Sequence, residues 1–91
     1  MSKRTIILSP AWRPLVDGTR TADVEGDTVG SMLQSLATTF PVLRDRIFVE
    51  GEVHPAVLVF VGDTEAGYLQ GLSTPLPPHV EVRIMTAISG G

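Results

Sequence analysis

With 91 residues the chain has room for one small domain around one core, able to bury roughly 60–65% of the surface its unfolded form exposes. Its 43% hydrophobic and 19% charged residues are the balance of a soluble globular chain, and the longest apolar run, 56–61, is far too short to cross a bilayer. A net charge of −3 without any cluster of Lys or Arg argues against nucleic acid, and the absence of cysteine excludes disulfides, a thiolate nucleophile and a cysteine metal site, so a cytoplasmic domain held by packing alone is expected.

Lys3 and Arg4 are followed by only three apolar residues before Pro10, which does not make a signal peptide. Residues 5–9 are rich in β-branched side chains and predict a strand. Pro14 and Asp17-Gly18 then mark a turn into a second extended segment at 19–24, completing an N-terminal hairpin. Asp27 or Thr28 supplies an N-cap, and Val29, Met32, Leu33, Leu36, Ala37 and Phe40 follow at helical spacing, so one amphipathic helix of about 12 residues, roughly 18 Å long, is predicted to end at Phe40-Pro41. The stretch 42–55 reads as a loop with one helical turn near 43–48, and 57–61 as the third strand, broken by Gly62-Asp63. Between 64 and 78, Gly67, Gly71, Pro75, Pro77 and Pro78 leave room only for a short strand near Tyr68 and Leu69. Residues 80–85 then alternate, with Val80, Val82 and Ile84 on one side and Glu81, Arg83 and Met85 on the other.

The order is hairpin, helix, strand, irregular crossing, strand, and then a tail closing on Ser89-Gly90-Gly91. With Arg13-Pro14 before the first turn, Gly26-Asp27-Thr28-Val29-Gly30 at the helix start, Phe60-Val61-Gly62-Asp63 on the third strand and 84–91 at the end, the chain resembles the ubiquitin-like β-grasp sulfur-carrier proteins from Ile6 onward. Within them it is closest to the longer carriers of the molybdopterin-synthase small-subunit type, and above all to those of cysteine biosynthesis. The resemblance implies an α+β β-grasp domain over 1–85, a mixed sheet of four to five strands packed on one main helix, and a flexible tail over 86–91. One departure is Thr86-Ala87-Ile88-Ser89, where such carriers have a proline followed by small apolar residues; it bears on the pathway, not on the class.

The resemblance also implies the chemistry. A ubiquitin-activating-type adenylyltransferase would use ATP to convert the Gly91 carboxylate to an acyl-adenylate. A sulfide or persulfide donor would turn that into a thiocarboxylate, and an acceptor enzyme would take the sulfur for cysteine, a cofactor or a thio-metabolite. The chain is then carrier and substrate, not catalyst, and binds no cofactor itself. Two successive glycines lack Cβ atoms and suit a narrow channel, so Gly90, Ser89 and Ile88 are expected to thread into the partner. Residues 86–91 span about 20 Å when extended, enough to reach a buried site.

If Val57, Val59, Val61, Val82 and Ile84 face the helix, then Leu58, Phe60 and Met85 share the opposite sheet face, where exposed apolar residues mark a partner-docking surface unless loops cover them. Trp12 reads more readily as core than as an anchor. His54 and His79 each lie beside a proline without a second ligand at metal spacing, and Gly26 to Gly30 has neither the spacing nor the lysine of a phosphate loop. No acid–base pair or nucleophile emerges. The competing class is a ubiquitin-like modifier joined through Gly91 to target lysines, and Lys3, the one lysine of the chain, leaves little scope for chain building on itself. A β-grasp interaction module with an incidental diglycine is the third.

Overall fold

The computed structural model describes residues 3–86. Strand β1 (Lys3–Ile7) pairs antiparallel with β2 (Thr21–Glu25), from Lys3 opposite Glu25 to Ile7 opposite Thr21. Between them the chain forms a 3-10 helix, Pro10–Val16, where a plain turn is expected. Ser9 caps it by accepting from the Ala11 N–H at 3.3 Å, and Trp12 and Val16 turn inward, so Trp12 is core. The first strand starts two residues before its expected position and ends at Ile7; one further in-register contact, from the Leu8 N–H to the Arg20 carbonyl, follows before Pro10, which has no N–H to offer a ladder, opens the 3-10 helix.

Helix α1 (Val29–Thr39) starts where Thr28, in extended backbone, accepts from the Ser31 N–H while the Ser31 hydroxyl accepts from the Thr28 N–H. This reciprocal cap satisfies two otherwise orphaned donors. The helix ends at Phe40 because Pro41 pushes the residue before it into extended backbone, here φ −123°. Its buried stripe is Val29, Met32, Leu33, Leu36 and Ala37.

The expected loop 42–55 is more ordered than its composition suggests. A 3-10 turn (Pro41–Leu43) and a short α2 (Arg44–Ile47) bury Leu43 and Ile47, and β3 (Phe48–Val49) pairs with β4 (Glu52–Val53). Glu50 at φ 52° and Gly51 at φ 81° form the two-residue, left-handed turn that matches the natural twist of a hairpin.

β5 (Val57–Val61) and β7 (Val82–Thr86) pair antiparallel, Val59 opposite Ile84, while β1 runs parallel to β7 with Ile6 opposite Val82. With the two-residue β6 (Thr64–Glu65) at one edge, the sheet order is β2-β1-β7-β5-β6, a mixed five-stranded sheet with α1 on one face. Ile6, Val24, Val57, Val59, Val82 and Ile84 meet the helix stripe in one core. The last strand thus runs 82–86 instead of 80–85, one residue beyond the expected folded body.

The expected strand at Tyr68 and Leu69 is absent. The edge position is already taken by β6 (Thr64–Glu65), which folds back on β5 through a turn with Gly62 at φ 64°. The Glu65 carboxylate then accepts from the Gly67 N–H at 2.7 Å, bending the chain into a 3-10 turn (Ala66–Tyr68) and leaving Tyr68 84% exposed. The remaining crossing is clamped to the sheet and the helix start. Val29 donates to the Thr74 carbonyl, Leu76 to that of Asp27, and the Arg4 guanidinium to the Leu76 and Pro77 carbonyls.

Candidate functional site

Strand alternation fixes the two faces of the sheet. Val57, Val59, Val82 and Ile84 are buried under α1 and Val61 packs at the core margin, so Leu58, Phe60 and Met85 stand together on the opposite face, as the alternation predicts. Leu58 and Met85 are direct cross-strand partners; Leu58 and Phe60 are half-buried and Met85 is 36% exposed.

The face is not purely apolar. Phe60 pairs with Arg83, and across the parallel contact Arg83 pairs with Ile7, so the row through the sheet reads Thr21, Ile7, Arg83, Phe60, Glu65. The Arg83 guanidinium carbon lies 5.7 Å from the Phe60 ring centre, a cation–π contact of about 0.5–1 kcal/mol at such an exposed site. Its Nε is 3.7 Å from the Glu81 carboxylate, beyond hydrogen-bond range, and with both side chains exposed the pair contributes little. Arg83 escapes a reading that looks only for apolar clusters. The alternation of 80–85 already put Arg83 beside Met85, but the approach of Ile7 depends on the β1–β7 pairing.

On the β2 side the same face becomes polar. The Thr5 hydroxyl donates to Asp23 at 2.5 Å, and Lys3 lies opposite Glu25.

Thr86 ends β7 opposite Val57, and its hydroxyl is 3.3 Å from that of Ser9, which is 1% exposed. The strand that carries the last described residue is thereby held on both sides. An open groove of about 460 Å³ adjoins it, lined by Trp12, Leu15, Arg46, His54, Val57 and Thr86. His54 Nδ1 accepts from the Ala56 N–H at 3.0 Å, which gives this ring a local structural role. Among the described residues no group of three or more His, Asp or Glu is placed to hold a metal ion, and no helix is long and apolar enough to cross a membrane. The candidate residues Ile88, Ser89, Gly90 and Gly91 lie outside the described residues.

No protein-family model matches the chain. It is 34% identical over 64 residues, 70% of each chain, to small archaeal modifier protein 3 of Haloferax volcanii. It is 26% identical over 90 residues, 96% of this chain and 97% of the other, to the sulfur carrier protein CysO of Mycobacterium tuberculosis. Among solved structures, small archaeal modifier protein 1 of Methanosarcina acetivorans superposes with a TM-score of 0.85 at 26% identity, covering 100% of this chain and 98% of that one. CysO in the Amycolatopsis orientalis BexX/CysO complex has the same fold, with a TM-score of 0.82 at 21% identity over 96% of this chain and 98% of that one. The chain belongs to the ubiquitin-like β-grasp family of sulfur carriers and small protein modifiers.

Proposed function

We propose that this protein is a sulfur carrier whose reactive group is the carboxylate of Gly91. The observation that carries the reading is the match to CysO along nearly the whole of both chains, joined to a sheet face that leaves Leu58, Phe60 and Met85 accessible beside the strand leading to the diglycine.

A carboxylate resists attack at neutral pH, so the reaction needs a partner adenylyltransferase of the ubiquitin-activating type. That enzyme joins the Gly91 carboxylate to AMP from ATP, releasing pyrophosphate. Hydrosulfide then attacks the acyl carbon and AMP leaves, giving the thiocarboxylate. A persulfide delivers the same sulfur if a second thiol takes up its remaining sulfur as a disulfide. An acceptor enzyme removes the sulfur for cysteine, a cofactor or a thio-metabolite, with cysteine favoured by the CysO match. The chain itself supplies the carboxylate, glycines that present no side chain to a narrow channel, and the surface that docks.

Incubation with the adenylyltransferase of the same genome, ATP and sulfide should raise the intact mass by the exchange of one oxygen for one sulfur, with the change confined to Gly91. An unchanged mass, under conditions in which that enzyme is active on another carrier, overturns the reading.

The docking role has its own test. Phe60→Glu or Met85→Glu places a charge on a half-open apolar surface and should leave the fold intact while weakening binding to the adenylyltransferase by about 1–3 kcal/mol. Unchanged affinity in titration calorimetry would move docking elsewhere.

The match to small archaeal modifier protein 3 supports a second reading, conjugation of Gly91 to target lysines. It predicts isopeptide adducts on other proteins in cell extracts, which the carrier reading does not require.

A further inference from the structure

The docking face carries one feature that apolar contact does not use. Arg83 sits on β7, the middle strand of the five, between Ile7 and Phe60, with Leu58 and Met85 forming the next row. A bare apolar patch needs no cation at its centre, and burying an unpaired guanidinium under a partner would be costly. Within the described residues Arg83 has little to hold it. Its Nε is shielded from solvent and has no hydrogen-bond partner, Glu81 stands 3.7 Å away on an exposed side chain, and no side-chain hydrogen bond joins the rest of the guanidinium to another described residue. Stacking on Phe60 orients the guanidinium without consuming its donors.

We propose that this face docks an apolar partner surface carrying a carboxylate positioned over Arg83, and that this ion pair selects the adenylyltransferase. The inference rests on the carrier reading above and adds the chemistry of the contact. A carboxylate accepts two parallel N–H bonds from a guanidinium, so the pairing fixes orientation as well as position. The surroundings restrict where an acidic partner can sit. Asp23 and Glu25 line the β2 side of the face, with Asp23 held by Thr5, and would repel a carboxylate displaced in that direction. Lys3, opposite Glu25, is the other basic residue of this face, while Glu81 stands beside Arg83 and Glu65 opposite Phe60, so in a chain of net charge −3 Arg83 discriminates among partners more than it attracts them at long range.

The test uses the whole chain and the adenylyltransferase of the same genome, with affinity measured by titration calorimetry at low and at high ionic strength. Arg83→Gln should weaken binding about tenfold at low salt, as expected for loss of a charged hydrogen-bonded contact, and the gap from wild type should narrow at high salt. Arg83→Lys, which keeps the charge but not the planar fork, should fall between the two. Phe60→Glu should remain weak at both salt concentrations. Arg83→Gln binding as tightly as wild type at low salt, or losing the same factor at every ionic strength, overturns the acidic contact. If the wild type still becomes a thiocarboxylate in that case, the carrier reading stands without it; a wild type that neither binds nor changes mass overturns both.

Discussion

A chain shortened by Gly90 and Gly91 is expected to melt at the temperature of the full chain and to accept no sulfur at all. Every side chain of the core described above lies between Ile6 and Ile84, and two glycines bring no side chain to it. The shortened chain would present the carboxylate of Ser89, about 7 Å short of the original position at 3.3–3.6 Å per extended residue, and with a hydroxymethyl group beside it. Intact-mass spectrometry after incubation with adenylyltransferase, ATP and sulfide reads the loss directly, and a thermal melt provides the control. Sulfur gained by the shortened chain would make the diglycine incidental and favour the interaction-module reading.

The largest effect on stability is expected at Gly26. A Cβ built there would lie 2.6 Å from both the backbone nitrogen and the Cα of Met32, a residue that is itself fully buried in α1. Backbone in the second turn of a helix cannot swing aside as a flexible side-chain tip can, so β2 and α1 would have to separate. Gly26→Ala should cost about 3 kcal/mol, the upper end of ordinary overpacking. For a domain of this size that corresponds to a fall in melting temperature of roughly 12–24 °C. A loss below about 1 kcal/mol would show that the helix can shift on the sheet with ease, contrary to the tight core around Met32.

Gly26 also illustrates how far a local reading reaches. The segment Gly26 to Gly30 is recognisable as a helix start, and Thr28 is the cap. That explanation accounts for Thr28 but not for the glycines. Gly26 is required by the approach of Met32, while at Gly30 the fit is tight, the Leu72 carbonyl lying 3.1 Å from where its Cβ would stand. Tyr68 and Leu69 show the opposite error. Their side chains favour a strand, but β6 had already filled the sheet edge and the Glu65–Gly67 hydrogen bond turned the chain. The β3–β4 hairpin is not legible in the sequence because its turn places Glu50, a residue seldom found there, in left-handed backbone.

The helix and its stripe, the inward faces of β5 and β7, and the grouping of Leu58, Phe60 and Met85 are all legible in local sequence. Those features follow from periods of 3.6 and 2 and from a cap and a proline acting within a few residues, so neighbours along the chain suffice to specify them. Tertiary structure alone decided the order of the strands, the close packing of α1 on Gly26, the tie from Ser9 to Thr86, and the position of Arg83 between Phe60 and Ile7. Each of these either joins segments far apart in the chain or depends on how one element packs on another, and their register is set only when the helix and all the strands close on one core.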